Sequence, residues 1–188
     1  MAEASSVTQT GVVDVEFTAP PLQLPDAASM AEAALTKALE FCAQKMGFDS
    51  HQAVVGHLRQ GDRTTCSYYH YNLAKQAAEF LGALDQNVKA VYICDYDATP
   101  EDLCFGEATQ ASLVHLVVWA RRKTGALNSL VAALDRALVQ SYADLIGMRQ
   151  LTHLLDVQVI DDADVENRVG YGAMLSSIYH RPIQVWER

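Results

Sequence analysis

The stretch from Ser112 to Asp162 constrains the fold of this chain more than any other. It opens on the most apolar run in the sequence, Leu113-Val114-His115-Leu116-Val117-Val118-Trp119-Ala120, and passes through a basic knot, Arg121-Arg122-Lys123. A long amphipathic segment follows, Thr124 to Gly147, and a second apolar run closes the unit, Leu154 to Ile160. The pattern predicts strand, helix, strand. Leu127, Leu130, Val131, Leu134, Leu138, Tyr142 and Leu145 recur at helical spacing and make one apolar stripe. Asn128, Asp135, Arg136 and Asp144 fall elsewhere on the wheel. A helix with such a stripe packs on a sheet, and a crossover of this kind makes its strands parallel and its connection right-handed. The first strand lacks alternation, so it is expected to be central and buried on both faces, with His115 a hydrogen-bonded core histidine. The second sets Asp156 and Gln158 against Leu155, Val157 and Val159, which gives it one wetter face.

The rest of the chain divides around this unit. Residues 1–25 are expected to be a flexible N-terminal segment, in which Val12 to Phe17 alternates as a short edge strand and Pro20, Pro21 and Pro25 form a stiff linker. Residues 26–87 read as a helical section. Asp26 caps a first helix carrying Met30, Ala34, Leu35, Ala38, Leu39, Cys42 and Met46, which Gly47 ends. Asp49 or Ser50 caps a second helix with Val54, Val55 and Leu58. After a Gly61-Asp62 turn, Thr64 or Thr65 caps a third that runs to Leu84, with Cys66, Tyr69, Leu73, Ala77, Phe80 or Leu81, and Leu84 as its buried stripe. Residues 88–188 read as an α/β sheet section, either separate from the helices or continuous with them. It starts with a strand from Val88 to Cys94. Thr99-Pro100-Glu101-Asp102 signals a short helix. Asp164 is expected to cap a late helix with Tyr171, Met174, Leu175 and Ile178 on one side, and Ile183 to Trp186 to form a final edge strand. The fold class is therefore α+β: an N-terminal helical section, then a mixed sheet built around a right-handed strand–helix–strand unit.

The ends of the central strands carry the charge. In parallel strands both C-terminal ends lie on the edge of an open sheet where ligands bind. Arg121, Arg122 and Lys123 sit there from the first strand, and Asp161, Asp162 and Asp164 from the second. Cations just ahead of a helix that starts at Thr124 add to a positive dipole end and make an anion site. The basic knot is expected to pair with the three aspartates across the edge; the functional alternative is a phosphate, a carboxylate or an acidic partner held by Arg121, Arg122, Lys123 and Thr124. A second reading assigns a divalent metal, magnesium, to Asp95, Asp97, Asp161, Asp162 and Asp164. It requires the strand at 88–94 to run parallel to the central one; a long antiparallel hairpin would send Asp95 and Asp97 to the opposite end. Tyr68 and Tyr71, with Lys75 a turn further on, form a candidate contact surface on the third helix.

Several chemistries find little support. The net charge of −9 over 188 residues argues against a broad nucleic-acid footprint. The helix–turn–helix outline of residues 51–84 keeps a DNA-binding reading only as a lesser alternative. No histidine pair has zinc spacing, and no GxSxG elbow is present. Gly170-Tyr171-Gly172 is a lone GxG with Leu175 where a dinucleotide fingerprint needs a small residue. Cys42, Cys66, Cys94 and Cys104 form no CxxC pair and read as buried thiols; the acidic neighbour Asp95 counts against Cys94 as a nucleophile. The N-terminus has neither the basic nor the apolar region of a signal peptide, and no run is long enough to span a membrane. The expectation is a cytoplasmic, non-catalytic binding or interaction protein for a macromolecular partner or small anionic ligand. Self-association or a protein partner is expected, with no cofactor. The rival is a magnesium-dependent enzyme acting on a phosphorylated substrate.

Overall fold

The computed structural model describes residues 27–94, 114–147, 151–177 and 182–188. Three helices come first: α1 (Ala27–Met46), α2 (His51–Arg59) and α3 (Arg63–Leu84). Strand β1 (Val88–Ile93) and strand β2 (Val114–Ala120) follow, then α4 (Gly125–Ile146), β3 (Leu155–Ile160), the short helices α5 (Asp162–Glu166) and α6 (Tyr171–Met174), and β4 (Ile183–Glu187). The expected edge strand at Val12 to Phe17, the proline linker, the Asp26 cap and the Thr99 helix lie outside the described residues, as do Cys104 and Ile178.

Local chemistry fixes the element ends. Gly47 and Gly147 end α1 and α4 in the left-handed region, at φ of 71° and 77°, where a side chain would be strained. Ser50 caps α2 by accepting from the Ala53 amide. The cap of α3 is Asp62 rather than Thr64 or Thr65: its carboxylate accepts from both the amide and the hydroxyl of Thr65, which leaves Thr65 buried inside the first turn. The late helix is two pieces, α5 and α6, because the chain reverses between them, with Arg168 at φ 53° and Gly170 at φ 52°.

The sheet is mixed, in the order β3-β2-β1-β4. β2 and β3 pair parallel, as the crossover rule requires. β1 pairs antiparallel with β2, Ile93 opposite Leu116, and antiparallel with β4 on its other side. One hydrophobic cluster runs from Ala34 and Leu35 of α1 through Leu73 and Leu81 of α3 and Leu127 and Leu138 of α4 to Val91, Leu116 and Leu155 in the sheet. The helical section and the sheet thus share one core. The opposite face of the sheet carries a small cluster, Cys94, Val117 and Ile160, packed against Met174 of α6 and Leu175 just after it. β2 is central, yet it is not buried on both faces: His115 and Trp119 are half-exposed on that second face.

Candidate functional site

The three strand ends and the two helices after them converge at one end of the sheet. β2 delivers Arg121, Arg122 and Lys123; β3 delivers Asp161, Asp162 and Asp164; and the start of β1, being antiparallel to β2, adds Asn87 and Lys89. Lys123 Nζ lies 2.6 Å from Asp164 Oδ2. This hydrogen bond holds the Asp164 carboxyl below its usual range and raises the Lys123 ammonium. Asp162 pairs with neither arginine. Its Oδ1 accepts from Lys89 Nζ and from Trp119 Nε1, each at 2.8 Å, and the Lys89 bond is the main reason its carboxyl is held low. Lys89 also sits over the Trp119 ring, 4.1 Å from its centroid. Asp161 caps α5, its carboxylate accepting from the Asp164 amide while Asp164 accepts from the Asp161 amide, a reciprocal capping box.

The arginines are held differently. The Arg121 amide donates to the Asn87 carbonyl, the Arg122 amide donates to the Asn87 side-chain oxygen, and the Asn87 side-chain amide donates to the Arg122 carbonyl. Asn87 is itself fixed by its amide, which donates to Asp85. The turn is pinned at its backbone, while both guanidinium groups are exposed and make no hydrogen bond or ion pair to another described residue. Thr124 caps α4, its hydroxyl accepting from the Leu127 amide. The pairing of the basic knot with the acids is therefore realised in part: Lys123 is ion-paired with Asp164, Arg121 acts on Asp162 only through space and helps to hold its carboxyl low, and Arg122 makes no ion pair with a described residue.

The metal reading asks β1 to run parallel to β2. It runs antiparallel, so the C-terminal end of β1 lies at the opposite end of the sheet from Asp161, Asp162 and Asp164. Asp95 and Asp97 themselves lie outside the described residues. Asp162 and Asp164 are occupied by separate lysines. Among the described residues no group of three or more histidine, cysteine, aspartate or glutamate side chains is placed to hold a metal.

The tyrosine surface lies toward the other end of α3. Phe41 of α1 stands against Tyr68 and Tyr71, each with its ring centroid 6.2 Å away, and Lys45 lies over the Phe41 ring. Both tyrosines are half-buried and Lys75 is exposed. α3 packs against α1 on one side and the sheet on another, and only Arg63, Thr64, Lys75 and Ala83 along it are fully exposed.

His115 is hydrogen-bonded as expected, but half-exposed rather than in a core, and one polar feature, Asp135, was not expected at all. His115 Nδ1 and Asp156 Oδ2 are 3.0 Å apart on the open sheet face, with Gln158 donating to the other Asp156 oxygen. The signal was present in the alternation of β3, whose wetter face faces the side of β2 that holds His115. Asp135, off the apolar stripe of α4, is 5 % exposed and accepts from the Leu154 and Leu155 amides, each at 2.8 Å. Compared with models of protein families, with curated proteins and with solved structures, the chain matches none of them. Among the described residues, no helix is long and apolar enough to cross a membrane.

Proposed function

We propose that this is a non-catalytic binding protein that recognises an anionic group, on a small ligand or an acidic macromolecular partner, at the Arg121–Arg122 turn. The observation that carries the reading is the division of labour at the sheet end. Lys123 and Lys89 are spent on Asp164 and Asp162, whereas Arg121 and Arg122 are left exposed on a backbone that Asn87 fixes. Arginine suits this task because its planar fork binds carboxylate or phosphate through two parallel bonds. The metal-enzyme reading has less support, because it asks β1 to run parallel to β2 and because Asp162 and Asp164 are each ion-paired to a lysine.

Inorganic phosphate is the simplest probe. The wild-type chain is expected to melt at a higher temperature as phosphate is added at constant ionic strength, following the logarithmic rise of one-site linkage. The Arg121→Ala/Arg122→Ala variant is expected to keep the wild-type melting temperature without phosphate and to lose the rise. A rise of equal size in the double variant, or none in the wild type, overturns the reading.

A further inference from the structure

The two outer edges of the sheet are finished differently. β4 is blunted: Pro182 precedes it, its pairing with β1 is interrupted by a register shift, and Glu187 and Arg188 close it with charge. β3 has none of these devices. Its sequence, Leu155-Asp156-Val157-Gln158-Val159-Ile160, contains no proline, lysine or arginine, and its register with β2 is unbroken. No described strand pairs with it on its outer side. The hydrogen-bond phase shows which backbone groups point outward. The Val114 amide donates to the Leu154 carbonyl, so Leu154, Asp156, Gln158 and Ile160 turn their backbone groups toward β2, and Leu155, Val157 and Val159 turn theirs away. At both ends of that outer row the amides are spent: Leu155 donates to Asp135, and Asp161 donates to Asp164. Val157 and Val159 remain between them, half-exposed and only partly packed on the main core.

We infer that β3 is a self-association edge, where a second copy of this chain adds its own β3 antiparallel across a two-fold axis at Gln158. The free backbone groups select this register. With Gln158 opposite its own copy, Val157 faces Val159 of the second copy on each side of the axis, and each such pair exchanges both backbone bonds. Moving the register by two residues either way sets one of these valines against Leu155 or Asp161, whose amides are already bonded. The occupant is a second copy because the row of donors and acceptors matches itself under the two-fold, the condition for an isologous interface. The side chains agree with the backbone. On the core face valine meets valine. On the open face Asp156 falls opposite Ile160 of the second copy, so no like charges stand directly opposite each other. Asp156 is also drawn toward His115 of its own sheet rather than over the edge. The arginine turn takes no part in this contact, so the inference stands apart from the anion reading.

Size exclusion with light scattering on the full chain is expected to show the mass rising from monomer to dimer between micromolar and millimolar concentration. Val159→Pro removes one outward amide from each copy and leaves the ladder to β2 intact. It is expected to weaken the dimer by on the order of 10-fold, through the loss of two modest hydrogen bonds, with circular dichroism unchanged. Gln158→Lys sets like charges opposite each other at the axis and serves as a second variant should the proline variant fail to fold. Cross-linking reads the register. In a Cys104→Ser background the remaining thiols are buried. Gln158→Cys then brings its Cα to about 4.5 Å from its copy, within the span of a disulfide. Oxidised glutathione is expected to link this variant into a covalent dimer and to leave Gln184→Cys, on the β4 edge, unlinked. A monomer at every concentration, a folded Val159→Pro or Gln158→Lys variant that dimerises like the wild type, or linking of Gln184→Cys as fast as Gln158→Cys, overturns the inference.

Discussion

At the scale of the residue, Asp135 shows what a buried charge does here. One carboxylate oxygen accepts from two consecutive amides, Leu154 and Leu155, and the other lies 2.7 Å from His153 Nδ1. Those amides lie at the start of β3, so the carboxylate ties the C-terminal strand of the crossover back to its helix. Removing it leaves two buried donors unpaired. Asp135→Ala is expected to cost about 3 kcal/mol in urea denaturation, and Asp135→Asn to recover part of that because it keeps one acceptor. A cost under about 1 kcal/mol would mean that water replaces the carboxylate. This role was not legible in the sequence. The helical wheel placed Asp135 away from the apolar stripe, and only the return of the chain over that flank buries it. His115 is hydrogen-bonded as expected but not buried, for a related reason: an unbroken apolar run does not reveal which of its residues faces a polar neighbour on the next strand.

At the scale of the element, the seam between α3 and β4 rests on a close approach. A Cβ at Gly82 would lie 2.1 Å from Cζ2 of Trp186, so the indole packs directly on the helix backbone. Arg188 extends the seam by donating to the carbonyls of Gly82, Asp85 and Val88. Gly82→Ala should displace the indole and loosen β4, an overpacking cost of about 1–3 kcal/mol seen in the denaturant midpoint together with a red-shifted tryptophan emission. Trp186→Leu in the same background should recover part of the loss; if it does not, the methyl acts elsewhere. The elements themselves were largely legible. Helical periodicity placed α1, α2 and α4, and the apolar runs placed β1, β2 and β3, because long repeated patterns average over local accidents. The misses came where one contact decides. Asp62 outcompetes the threonines as a cap because its carboxylate reaches both Thr65 donors. The late helix breaks in two because the chain turns through positive φ at Arg168 and Gly170, and Gly172 packs against the Asp164 carbonyl with no room for a side chain.

At the scale of the whole molecule, one core joins helices and sheet, so a proton taken up anywhere inside it is felt as global stability. His70 of α3 is buried, and desolvation pushes its imidazole from the ordinary 6.5 down to about 4. Between those values the unfolded chain binds a proton that the folded chain refuses. Stability is therefore expected to fall as pH drops from about 6.5 to about 4, and His70→Phe to flatten that slope in a series of thermal melts. Asp162 and Asp164, whose carboxyls are held low, lose their contribution only at more acid pH, so the two effects separate. An unchanged slope in His70→Phe would assign the window to other groups. The global layout was legible as far as the crossover rule reaches: it put the basic knot and the late aspartates at one end of two parallel strands. It did not supply Lys89, the true partner of Asp162, since that residue arrives from β1, and no local pattern says whether β1 runs with β2 or against it.

The Asn87 clamp has a thermodynamic meaning for anything that binds beside it. A loop that must order on capture gives up about 1–2 kcal/mol of backbone entropy for each residue fixed. Around Arg121 and Arg122 that loss was already incurred when the chain folded, because three hydrogen bonds to a single asparagine hold the peptide groups in place. What is left to lose is the rotamer freedom of two long side chains. On the proposed reading, an incoming anion would meet a surface that changes little in shape, and its residence time would be set by contacts made rather than by order imposed.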